Sequence, residues 1–173
     1  PAAPLVVPIK DPIVEPKSID FSAIVANRSR IDQLLPQRHE MQQLTAILRD
    51  DVDAGIVVGY KDLSADEFWV RGHMPGMPLM PGVIMCEAAA QVCSYHVIAN
   101  GLMEAEMIGF GGMDNVRFRS LVRPGDRLVI AAQKLQLRPK TIVRCRFQCF
   151  VGEEIACEGE IRGIPIPVAT LRG

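Results

Sequence analysis

Arg71-Gly72-His73-Met74-Pro75-Gly76-Met77-Pro78-Leu79-Met80-Pro81-Gly82-Val83-Ile84-Met85-Cys86-Glu87-Ala88-Ala89-Ala90-Gln91 is the stretch on which the reading of this chain turns. A histidine sits in a loop that three prolines stiffen and three glycines open, a composition that fixes unusual backbone geometry. The loop runs into an apolar, alanine-rich segment that predicts a helix over 82–99, with Gly101 as the residue just past its end. Glu87 stands in the second turn of that helix, where a carboxylate is costly unless it is paired or used. Glu87 and Gln91 are four apart and share a face, so the polar stripe points at one place: a site, or a satisfied polar pair in the core. A helix apolar nearly all round is buried on most sides, as when a curved sheet wraps it.

The last third of the chain supplies such a sheet. In 141–149 the odd positions Val143, Cys145, Phe147 and Cys149 alternate with Arg144, Arg146 and Gln148, so one face is buried and the other wet. Gly152-Glu153-Glu154 turns the chain, and Ile155, Cys157 and Ile161 resume the alternation against Glu158 and Glu160, an antiparallel hairpin. Residues 116–136 add two strands around Arg123-Pro124-Gly125-Asp126, and 44–59 add a hairpin around 50–55. Ile31 to Pro36 reads as a short helical turn stopped by the proline. The fold class is α+β, a curved antiparallel sheet around one central helix.

A chain of 173 residues, 49% apolar, makes a single domain with a substantial core, and 5% aromatic residues make that core aliphatic. Prolines at 1, 4, 8, 12 and 16 set residues 1–30 apart as an extended arm, lying on another subunit or loose, ahead of a domain over 31–173. A net charge of -1 singles out no partner. No basic stretch leads an apolar block at the start, so no secretory leader is expected. The apolar run Val83–Ala99 is broken by Glu87, Gln91, Ser94 and His96 and is not expected to span a bilayer. The five cysteines, Cys86, Cys93, Cys145, Cys149 and Cys157, are odd in number and form no CxxC, which fits reduced, buried thiols in a cytoplasmic protein.

The run Gly72 to Val83, followed by Glu87-Ala88 and Ala90-Gln91, resembles the hot-dog-fold (3R)-hydroxyacyl-acyl-carrier-protein dehydratases of bacterial fatty acid synthesis. Leu34-Leu35-Pro36 with Arg38, Gly112 to Phe118, and Val122 to Asp126 are similar to further motifs of that family, so the resemblance covers about residues 31–163 in order. It implies a hot-dog fold, edge-to-edge homodimers that often assemble into trimers of dimers, and a site at the dimer interface where His73 of one subunit faces Glu87 of the other. It also implies an acyl carrier protein as partner. The isomerising relatives carry aspartate at the acid position, so Glu87 favours the plain dehydratase branch.

The chemistry fits these residue types. Dehydrating a 3-hydroxyacyl thioester needs a base at C2, an acid for the departing hydroxyl, and donors for the thioester oxygen. His73 can be the base near neutral pH. Glu87, desolvated on an apolar helix, can be held protonated as the acid. The backbone N–H groups of Gly82 and Val83 at the helix N-terminus can hold the oxygen, and Gly82 leaves room for the approach. Gln91 is expected to orient a neighbour or bond backbone. No metal or organic cofactor is expected; Cys93 and His96, three apart, make only a two-ligand match. His39 reads as a surface residue.

Residues 117–146 hold nine basic side chains and one acidic one, Asp126. They are the wet face of strands or a dock for an acidic carrier, with Arg117, Arg119 and Arg123 as the docking candidates. Without interleaved aromatics they do not suggest nucleic acid. The chain departs from the family pattern at Gln37-Arg38-His39-Glu40-Met41, where His-Arg-Tyr-Pro-Phe is common, and at Gly109, where a tyrosine is frequent. These departures bear on the acyl chain accepted. They keep open a non-catalytic acyl-binding paralogue; a thioesterase of the same hot-dog fold is the other alternative.

Overall fold

A computed structural model describes residues 10–170 of the chain. Six strands form one antiparallel sheet: β1 (Ala46–Asp51), β2 (Ile56–Asp62), β3 (Met107–Phe118), β4 (Arg127–Arg138), β5 (Ile142–Val151) and β6 (Glu154–Ile166). Their spatial order is β1-β2-β4-β5-β6-β3. A short helix α1 (Arg28–Leu34) precedes them, and the long helix α2 (Gly82–Ala99) packs against every strand from β2 to β6. A sheet that touches one helix with five strands must curve around it, which is the hot-dog arrangement.

α2 occupies the expected span. Pro81 caps its start in an extended conformation, and past Asn100 the chain reverses at Gly101, whose φ of 59° suits a residue without a Cβ. Ten of the 18 residues of α2 are buried, including Ala88, Ala89, Val92 and Val97. By length and composition α2 is able to cross a bilayer, contrary to the sequence expectation. What marks it as a core helix is the sheet around it. Its far end is pinned by buried His96, whose Nδ1 lies 2.5 Å from Asp50 of β1, while Asn100 donates to the other Asp50 oxygen at 2.8 Å.

The alternation in β5 is real, but its second face is not uniformly wet. Val143, Cys145, Phe147 and Cys149 line the core, as the pattern requires. Gln148 and Phe150 on the opposite face are buried too, because residues 10–21 lie across the back of the sheet. Ile13 N–H donates to Gln148 Oε1 at 2.8 Å, and Gln148 Nε2 donates to the carbonyls of Lys10 and Asp11. Ile13, Val14 and Ile19 pack on Leu48, Val58, Tyr60, Val129 and Phe150 as a second small core. Arg127 stacks over Phe21 and Tyr60 at 4.8 and 4.3 Å and pairs with Asp62, which raises its pKa further.

The described part of the arm packs on its own sheet; residues 1–9 fall outside the described residues. The boundary expected at 30/31 falls inside α1, which starts earlier than its apolar residues because Asn27 caps it, accepting from Arg30 N–H at 3.1 Å.

β3 begins nine residues before the Val116 at which alternation becomes visible. Gly109, Gly111 and Gly112 carry no side chains to alternate, and the pairing with β6 slips at Phe110/Gly112 and Asp114/Arg117. Among the described residues β3 pairs only with β6, which leaves its other edge open there.

Candidate active site

The loop between β2 and α2 has no regular structure, yet it is densely bonded. Buried Trp69 anchors it, and the Trp69 carbonyl accepts from the N–H groups of Gly72 and His73 at 3.1 and 2.8 Å. Leu79 N–H returns to the His73 carbonyl at 2.8 Å, and Met74 and Met77 exchange two bonds around Gly76, whose φ is 74°. The base of the loop is tied to β2 by a largely buried ion pair, Lys61 to Glu67 at 3.1 Å. His73 emerges half-buried, with Nδ1 2.8 Å from the Leu79 carbonyl oxygen. A carbonyl only accepts, so Nδ1 carries the hydrogen and Nε2 keeps a free lone pair.

Glu87 is half-buried on α2, with Oε1 accepting from Gln91 Nε2 at 2.7 Å. Gln91 is only 2% exposed and saturates its amide. The same Nε2 donates to the Met41 carbonyl at 2.7 Å, and Oε1 accepts from Gln43 N–H at 3.0 Å. Gln91 thus ties the 41–43 segment to Glu87 and leaves Glu87 Oε2 free to carry a proton.

At the start of α2 the N–H groups of Ile84 and Met85 both reach the Pro81 carbonyl, at 2.9 and 3.3 Å. Those of Gly82 and Val83 have no acceptor among the described residues, so they are available donors at the positive end of the helix. Gly82 is required for a reason the sequence did not reveal: a Cβ there would lie 2.5 Å from the ring of Phe118, at the end of β3.

Glu87 heads a cleft between α2 and the β5–β6–β3 side of the sheet. Ala90 and Cys93 line it from α2, Cys145 from β5, Ile161 from β6, and Phe110 from β3. Gly109 also borders it, and the room a side chain there would need is filled by Ile166, at 2.5 Å. Gln37 shares the cleft; its departure from the family pattern was the one sequence signal that marked it. Cys93 hydrogen-bonds the Cys145 thiol and is buried, both of which push its pKa up, and burial pushes Cys149 up. Cys93 is thus apolar wall of the cleft, not a nucleophile at neutral pH. Because His96 is turned to Asp50 and Cys93 to Cys145, the two do not converge on a metal.

Among the described residues no hydrogen bond or ion pair joins His73 to Glu87 within the chain. The basic run is compensated in part: Arg119 bonds Glu158 at 2.5 Å, Arg127 pairs with Asp62, and Arg144 with Glu160. Arg117 and Arg123 are exposed and have no ion pair among the described residues. The 119–126 loop abuts the His73 loop through Met80 N–H to the Val122 carbonyl, at 2.8 Å.

The family model of the FabA-like domain matches residues 35–160. The 3-hydroxyacyl-[acyl-carrier-protein] dehydratase FabZ of Moorella thermoacetica is 39% identical over 132 residues, 76% of this chain and 90% of that protein. The enzyme of the same description from Clostridioides difficile is 36% identical over 78% of this chain and 94% of its own. Among solved structures, the dehydratase heterocomplex ApeI:P from Xenorhabdus doucetiae superposes with a TM-score of 0.66 at 16% identity, covering 82% of this chain and 94% of that one. Cj0977, a virulence protein of Campylobacter jejuni, gives 0.62 at 17% identity, covering 88% of this chain and 96% of that one. Both share the fold.

Proposed function

This chain belongs to the FabA-like domain family, and on that premise we propose that it removes water from (3R)-3-hydroxyacyl thioesters on acyl carrier protein to give trans-2-enoyl thioesters in fatty acid synthesis. The observation that carries the proposal is the orientation of two side chains: His73 with Nε2 freed by the Nδ1–Leu79 bond, and Glu87 with Oε2 freed by Gln91. Nε2 takes the C2 proton while the Gly82 and Val83 N–H groups receive the charge building on the thioester oxygen. Glu87 Oε2, protonated, gives its proton to the C3 oxygen as the C3–O bond breaks, and water leaves. The transfers leave an imidazolium and a carboxylate, which reset by passing the proton back. This chemistry needs only proton transfers and no cofactor.

The site is completed by two chains, His73 of one facing Glu87 of the other, in a homodimer joined along β3. The open β3 edge supports this, as does the apolar surface it carries: Phe110, Met113 and Phe118 are 46, 41 and 54% exposed. Arg117 and Arg123 serve an acidic carrier near the His73 loop, with Arg119 contributing less because Glu158 holds it. Added salt then raises the Michaelis constant for carrier-bound substrate and spares small thioesters; equal effects on both would remove the dock. Five buried free thiols fit a reducing, cytoplasmic setting.

The test is incubation with trans-2-enoyl thioesters while enoyl absorbance and free thiol are followed together. Loss of absorbance without thiol release is the expected result. Thiol release without hydration would make the chain a thioesterase, and binding without either would make it an acyl-binding protein.

A further inference from the structure

Gln37 presents a problem the fold does not solve. Its side-chain oxygen is shut away from solvent and has no hydrogen-bond partner among the described residues. A buried acceptor left without a donor is costly, because it has given up water and gained no partner. The backbone around it is not slack: the Arg38 guanidinium clamps the carbonyls of Asp32, Leu35 and Gln37 at 2.6, 2.7 and 2.7 Å, and Leu35 beside it is core. The oxygen is therefore held in place at a cost, on the wall of the cleft that Glu87 heads. Arg162, on the same wall, donates from Nη2 to Asp114 at 3.2 Å, while its Nε makes no hydrogen bond among the described residues.

We infer that Gln37 recognises the substrate hydroxyl: its side-chain carbonyl accepts the hydrogen bond of the C3 O–H group and holds that oxygen as it departs. The inference rests on the dehydratase reading above. Within a 3-hydroxyacyl thioester the acyl portion has a single donor, the C3 hydroxyl; the thioester oxygen only accepts. With its O–H turned to Gln37, the C3 oxygen presents a lone pair to the proton on Glu87 Oε2. When the C3–O bond breaks, that proton becomes the second O–H bond of the water formed. The water then donates one hydrogen to Gln37 and the other to the carboxylate left on Glu87. A site built to bond a hydroxyl discriminates strongly against the ligand that lacks it, since the buried acceptor is then left bare. Gln37 thus sets selectivity for hydroxylated over saturated acyl chains.

The experiment measures binding in a His73→Ala background, where the substrate is not consumed. Dissociation constants are obtained by calorimetry for (3R)-3-hydroxyacyl and saturated acyl thioesters of equal length on coenzyme A. Gln37→Met keeps the length and removes the acceptor; Gln37→Asn keeps the acceptor and draws it back. Gln37→Met is expected to weaken the hydroxylated ligand about tenfold and the saturated one less than about twofold, with Gln37→Asn between. If both ligands weaken alike, the contact is to the thiol arm or is mere packing, and the inference falls; unchanged selectivity in both variants overturns it as well. Either failure leaves the dehydratase reading standing, because that reading is judged by turnover of the unsubstituted protein. If that protein neither hydrates nor dehydrates, the reading falls and the inference with it.

Discussion

Replacing Gln91 separates the positioning of Glu87 from the stability of the fold. Gln91→Met keeps the shape of a side chain that is 2% exposed and deletes three hydrogen bonds at once: to Glu87 Oε1, to the Met41 carbonyl and from Gln43 N–H. Gln43 is fully buried, so its N–H is stranded without water, at about 1–3 kcal/mol. The Met41 carbonyl is partly solvated and adds about 1 kcal/mol, for a total near 2–4 kcal/mol in urea denaturation. Glu87 keeps its place on α2 but loses the partner that fixes its rotamer, and misplacing a reacting group by an ångström costs about a hundredfold in turnover. Gln91→Glu supplies the contrast: its carboxylate still accepts from Gln43 N–H but no longer donates to Glu87 and to the Met41 carbonyl, so turnover falls while the buried N–H stays satisfied. Measuring kcat for folded protein of each variant beside its urea midpoint separates positioning from stability. Normal turnover in Gln91→Met, whatever its stability, would refute the view that Gln91 positions the acid.

Gly82→Ala drives a methyl group into the Phe118 ring, so it is expected to lower turnover and loosen the end of β3, measured by hydrogen exchange at Phe118 alongside kcat. Gln148→Leu strands Ile13 N–H and releases the 10–21 segment from the back of the sheet; it is expected to cost about 1–3 kcal/mol in urea denaturation while leaving kcat unchanged. The raised thiols of Cys93 and Cys149 predict an alkaline limit to stability. Their folded pKa values lie above the unfolded value of about 8.5, so stability is flat below that pH and falls above it, by up to about 1.4 kcal/mol per pH unit per thiol. A midpoint of urea unfolding that does not drop between pH 8 and 10 would contradict this.

Much of the fold was legible because it rests on periodicity. α2 declared itself by an apolar run with a terminal glycine, and the β5–β6 hairpin by alternation around Gly152. Where other physics governs, the pattern fell silent. The glycines of β3 leave nothing to alternate, so the strand was read nine residues short. Gln148 looked like part of a wet face because nothing local in β5 announces the segment 135 residues earlier that covers it. The proline-rich arm read as extended, but which surface it chose depended on long-range contacts such as Arg127 over Phe21. In the site, His73, Glu87 and Gln91 stood out by residue type in an unexpected setting. The Leu79 carbonyl that sets the His73 tautomer is backbone and left no trace in the sequence, and Gln37 showed only as a departure.

The account stands on His73 and Glu87 acting as one proton-transfer pair drawn from two chains, and mixing inactive subunits tests that directly. His73→Ala and Glu87→Gln are each expected to lower turnover by at least about a hundredfold while remaining folded. After subunit exchange between the two, half the dimers are hybrids carrying one intact site of two, so activity returns to about a quarter of that of the unsubstituted protein. No recovery, with exchange demonstrated by mass-tagged subunits, would place both residues in a single chain's site and contradict the account.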